Sequence, residues 1–72
     1  MKFYLTKTTT NKDEYLVHKE MCVYLPVESL RIDLGEHYSC ESAISEACIK
    51  KENVNGCFHC ALLCHTNSKE NN

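Results

Sequence analysis

Three of the six cysteines and two of the four histidines fall in one run, Asn55-Gly56-Cys57-Phe58-His59-Cys60-Ala61-Leu62-Leu63-Cys64-His65. The leading pair is Cys57-x-x-Cys60, a spacing that lets two thiolates share one tetrahedral metal ion. Asn55-Gly56 is a turn dipeptide, and the residues after it read as a short helix from about Cys57. In a first helical turn, free backbone N–H groups and the helix dipole lower thiol pKa values, favouring the thiolate that a metal needs. If the stretch stays helical, Cys57, Cys60 and Cys64 share one face. That face is either a ligand wall or a cysteine-rich seam packed on the rest of the chain.

One pair cannot close a structural zinc site; two more ligands are needed. The best partner is His18-x-x-x-Cys22, beside the turn that ends a candidate strand. A metal joining Cys22 to Cys57 would close a long loop, where a clip gains most. The expected ligands are therefore His18, Cys22, Cys57 and Cys60, with Cys64 in place of His18 as the alternative. One Zn2+ per chain is the expected cofactor. Cys40 and Cys48 lie on an apolar helical stripe and read as buried small hydrophobes. His59 reads as a surface residue, His37 as surface or helix entry, and His65 as a cap for the last carbonyls of its helix.

Other cysteine chemistry fits less well. Cys60-x-x-x-Cys64-His65 has one intervening residue too many for c-type haem attachment. Cys57-x-x-Cys60 as a thioredoxin-like redox pair lacks the βαβ frame of that fold, although a thiol/disulfide protein or sensor using these two cysteines is the main alternative function. No oxyanion loop or carboxylate orienter accompanies any Cys–His pair, so no enzyme is expected.

The elements that must position these groups are short. Residues 2–7 alternate as a strand, Thr8–Asp13 is a loop, and Glu14–Lys19 reads as a second strand pairing with the first. Leu16 and His18 share a face of it, so a core-facing Leu16 takes His18 inward. Leu30, Ile32 and Leu34 alternate with Arg31 and Asp33, and Gly35 ends that strand. Ser39 is an N-cap, and Cys40, Ala43, Ile44, Ala47 and Cys48 recur with helical spacing over 39–51. The predicted class is α+β: a small antiparallel sheet, one amphipathic helix and a short C-terminal helix. Residues 1–66 form a single domain, and 67–72 a disordered tail.

Composition bounds the rest. A chain of 72 residues buries only about 60% of its unfolded surface, so its core needs a staple. Eight basic and ten acidic residues, scattered along the chain, give a formal charge of −2 and no footprint for nucleic acid. No apolar run is long enough to cross a membrane, and Met1–Lys7 is too short and polar for a signal peptide. The expectation is a cytoplasmic protein with reduced thiols, where cysteine clusters bind metal, and with a protein as its partner.

The series Val17-His18-x-x-x-Cys22-x-x-Leu25, Leu34-Gly35-x-His37-x-x-Cys40-x-x-Ala43 and Asn55-Gly56-Cys57-x-x-Cys60-x-x-x-Cys64-His65-Thr66 resembles a group of small bacterial Cys/His-rich proteins, over about residues 15–66. More distantly it is similar to the zinc-binding module of the Ada DNA-repair proteins, a treble-clef-like arrangement. By position the resemblance implies His18, Cys22, Cys57 and Cys60 as ligands. In the repair proteins the first cysteine of C-x-x-x-C accepts a methyl group; here His18 holds that place, so the resemblance implies a scaffold and a metal without methyl transfer. In the closer group a cysteine often follows the position of Cys60, where this chain has Ala61.

Overall fold

A computed structural model describes residues 1–10 and 12–65. Four strands form one sheet: β1 (Lys2–Thr6), β2 (Tyr15–Lys19), β3 (Arg31–Glu36) and β4 (Val54–Gly56), in the order β3-β1-β2-β4. Helix α1 (Cys40–Lys50) covers one face. The α+β class holds, but the sheet is mixed: β1 pairs antiparallel with β2 and β3, whereas β4 runs parallel to β2. Asn55-Gly56 does not form the expected turn. It is the end of a three-residue strand, too short to show alternation, and its partner fixes it in place.

Register decides which side chains meet the helix. Leu5 lies opposite Val17 on one side and Ile32 on the other, so these three point to one face. The core joins Phe3, Leu5, Val17 and Leu34 to Ala43 and Ala47 of α1. Leu16 and His18 share a face as their alternation requires, but it is the face away from this core, and His18 is buried from that opposite side. In β3 the expected inward set shrinks: Leu34 is buried, Ile32 is partly buried, and Leu30 precedes the strand and is exposed. Gly35 does not end β3. It sits within it at φ 86°, beside an irregularity that pairs Gly35 with Phe3 and Asp33 with Tyr4. A side chain there would be strained, and the Asp33 carboxylate accepts the Gly35 N–H at 2.8 Å.

Helix α1 starts where its sequence says. The Ser39 hydroxyl accepts the Ser42 N–H, Glu41 lies in the first turn and Lys50 in the last. His37 secures the entry: its Nε2–H donates to the Leu34 carbonyl at 2.8 Å, and Nδ1 accepts from the Ser42 hydroxyl at 2.7 Å. Only Ala43 and Ala47 of the apolar stripe are fully covered. At 100° per residue, Cys48 lies about 120° from the line between them, and it is exposed, not buried as its periodicity suggested. Cys40 is also no free core thiol: it forms a disulfide with Cys64, Cα to Cα 6.2 Å.

No α-helix begins at Cys57. The Cys57 N–H donates to the Val17 carbonyl at 2.9 Å, extending the β2–β4 ladder by one bond. A single turn follows, closed by Ala61 N–H to Cys57 C=O, and then one 3-10 turn over Leu62–Cys64. His65 closes this turn through its backbone, its N–H donating to the Leu62 carbonyl at 3.1 Å, and its side chain does not reach the turn's carbonyls. Its Nδ1–H donates to the Gly56 carbonyl at 2.9 Å. Gly56 is required by closeness: a Cβ there would sit 2.9 Å from both the Ala61 oxygen and the Cys64 Cβ. The expected tail, 67–72, lies outside the described residues.

Candidate metal centre

The two halves of the site come from neighbouring strands. β2 delivers His18 on the face away from α1, and the chain then turns tightly, with Cys22 N–H donating to Lys19 C=O at 3.0 Å. This turn swings Cys22 back beside His18. From β4, the parallel partner of β2, the chain continues directly into Cys57, and the Cys57–Ala61 turn brings Cys60 round. Residues far apart in sequence meet because Val17 pairs with Gly56, so the chain leaves both strands at the same end.

One donor atom from each of His18, Cys22, Cys57 and Cys60 lies within 4.8 Å of all the others. The Cys22 and Cys57 sulfurs are 3.9 Å apart, and Cys60 Sγ is 3.8 Å from His18 Nδ1. A tetrahedron with metal–sulfur bonds near 2.3 Å has sulfur–sulfur edges of about 3.8 Å and sulfur–nitrogen edges of about 3.6 Å. The donor set therefore has the size of a single coordination sphere. His18, Cys22 and Cys57 are buried and Cys60 is partly exposed.

Backbone donors surround the sulfurs. Lys19 N–H points to Cys60 Sγ at 3.3 Å, and Tyr24 N–H to Cys22 Sγ at 3.4 Å. Such bonds stabilise a thiolate and fix the direction of its free lone pairs. Burial lowers the His18 pKa, which keeps the imidazole neutral as a ligand must be. Burial also pushes the Cys60 thiol up to about 12, with the Lys19 N–H opposing and Cys22 and Cys57 adding to the rise. This reverses the expectation of a thiolate favoured by a helix N-terminus, because Cys57 follows a strand and starts no α-helix. Without a cation the cluster keeps a proton on Cys60 at neutral pH.

Cys64 is excluded from this group by its bond to Cys40, which removes it as the alternative ligand in this form. His59 is exposed, its ring edge-on to Tyr24 with centroids 5.1 Å apart. Sequence reasoning missed the Cys40–Cys64 pairing, for which no local spacing gives a signal.

The site thus defines a class: a small α+β protein with a Cys3His cluster able to hold a metal ion. No family model, curated protein or solved structure matches the chain. No helix among the described residues is long and apolar enough to cross a membrane.

Proposed function

We propose that the chain is a non-catalytic zinc-binding module whose metal is structural, with His18 Nδ1 and the sulfurs of Cys22, Cys57 and Cys60 as its four ligands. The observation that carries this is the size of the donor set, 3.8–3.9 Å along two edges and under 4.8 Å throughout. Three thiolates and an imidazole match the preference of zinc among common metals. Four protein ligands leave no open position for water or substrate, which favours a structural over a catalytic role. The small core strengthens the case, since a metal supplies stability that six core residues of this size lack. The Ada-type resemblance names the same four residues, and a module of this kind acts through its surface on a protein partner. The −2 charge gives no support to nucleic acid. A redox role for Cys57 and Cys60 is disfavoured by the raised Cys60 pKa, since a protonated thiol is a poor nucleophile.

Elemental analysis of protein purified without added metal tests the reading, and is expected to give one zinc per chain. Cobalt substitution should then give the visible spectrum of a tetrahedral site with three sulfur ligands, altered by His18→Ala. Metal-free protein with an unchanged fold and no response to added zinc or cobalt would overturn it.

A further inference from the structure

The segment that carries Cys57 and Cys60 is fastened at both ends but held by little in between. Its first part belongs to the Cys3His cluster, and its last residue before His65 is bonded to α1 through Cys64–Cys40. Phe58, Leu62 and Leu63 are exposed, Leu63 by 96%, and Ala61 is the one apolar side chain between the fastenings that is buried. The remaining ties are the turn bonds Ala61 N–H to Cys57 C=O and Cys64 N–H to Ala61 C=O, the His65 bond to Gly56, and one contact with a distant residue, the exposed His59 ring edge-on to Tyr24. Cys64 Cβ lies 2.9 Å from where a side chain on Gly56 would begin, beside the residue immediately before the first ligand of this segment. A segment with so few buried contacts depends on its covalent end for position.

We propose that the Cys40–Cys64 disulfide is a redox latch on the metal centre: closed, it holds Cys57 and Cys60 in the ligating arrangement; opened by a dithiol reductant, it lets metal leave faster. This inference rests on the zinc reading above. The chemistry balances as thiol–disulfide exchange. A thiolate of the reductant attacks one sulfur of the disulfide, forming a mixed disulfide and expelling the other sulfur as a thiolate. The second thiol of the reductant then displaces the remaining sulfur. Two electrons and two protons pass to Cys40 and Cys64, and the reductant ends as its own disulfide.

The bond is reachable for that attack. Cys64 lines a surface hollow of about 280 Å³ with Glu41, Ile44 and Leu63, and Cys40 lines a separate groove of about 460 Å³ between α1 and the Cys60–Leu63 stretch. Both cysteines are only half-buried. The metal-site sulfurs of Cys22 and Cys57 are buried, whereas Cys60 is half-buried like Cys40 and lines the same groove, so a reductant reaches the latch and that one ligand from the same side. Coupling runs both ways: a metal that binds the closed segment more tightly also shifts the equilibrium of the disulfide towards its oxidised form. If the opened segment is competent to ligate about a tenth of the time, apparent affinity falls roughly tenfold.

The test uses the full chain loaded with zinc, its disulfide verified by mass spectrometry, and follows zinc release to a chromophoric chelator. Expected is release roughly tenfold faster from Cys40→Ser/Cys64→Ser than from the oxidised wild type, with wild type reduced by a phosphine matching the double variant. The phosphine arm needs no mutation, so a variant that fails to fold leaves the test intact. Equal release from oxidised and phosphine-reduced wild type overturns the latch while leaving the zinc site standing. Slower release after reduction, in Cys40→Ser but not in the double variant, also overturns it, because Cys64 would then be joining the metal. Wild type that takes up no zinc in either state removes the metal reading, and the latch with it.

Discussion

Adjacent residues of β2 serve two different kinds of interior. Val17 faces α1 and shares an apolar core with Phe3, Leu5, Leu34, Ala43 and Ala47. His18 faces the other way, where the buried neighbours are the sulfurs of Cys22, Cys57 and Cys60. The first interior is stabilised by removing carbon from water and needs no partner from outside. The second gathers donor atoms, raises the pKa of one of its own thiols, and in the zinc reading becomes favourable only with a cation at its centre. A sheet whose side chains alternate can thus carry a hydrophobic core on one face and a Cys/His cluster able to hold a metal on the other.

The comparison is most directly broken by removing the metal. A chelator in excess should lower the stability of the zinc-loaded protein by more than about 4 kcal/mol, the linkage expected when free metal exceeds its dissociation constant a thousandfold. Thermal unfolding followed by circular dichroism reads this; an unmoved midpoint would mean that the Cys/His face holds itself together. A core substitution sharpens the contrast. Leu5→Ala should cost about 2–5 kcal/mol in urea unfolding, similarly with and without zinc, and leave zinc stoichiometry unchanged because Leu5 faces the helix. Loss of metal in this variant would show that the two interiors are one cooperative unit.

The smallest effect expected is a pH profile of the metal-free protein. The folded-state pKa of His18 is depressed, so below the ordinary value of 6.5 the unfolded chain binds the extra proton and stability falls as pH falls. Cys60 is raised to about 12, so its contribution is complete below the ordinary 9.0 and fades as pH rises from there towards 12. The contribution of these two groups should therefore be greatest between about pH 6.5 and 9. Urea midpoints across that range measure it. In the zinc-loaded protein the alkaline limb should vanish, since the bound thiolates have already lost their protons.

Much of this was readable from residue types and short spacings. Ser39 with Ala43 and Ala47 announces α1, and the alternation of residues 2–7 announces β1. The H-x-x-x-C and C-x-x-C pairs each sit at a chain reversal, where a tight turn brings both members of a pair to one side, and that local geometry let all four donors be named before their meeting was seen. Other features were beyond local reading. Val54–Gly56 is a strand only because β2 lies alongside, and a helix from Cys57 was a fair inference from composition that the Cys57–Val17 hydrogen bond overrides.

Donor chemistry and the capped helix follow from groups within a few residues of one another, and the need for a staple from chain length alone. Packing settles which cysteines gather round His18 and which cross-link. The parallel pairing of β2 with β4 places Cys57 beside His18, and the seat of α1 brings Cys40 to 6.2 Å from Cys64, while Cys48 turns to solvent. Thiols of one chemical type acquire separate fates through distance and burial, which are properties of the packed chain and not of any short stretch of it.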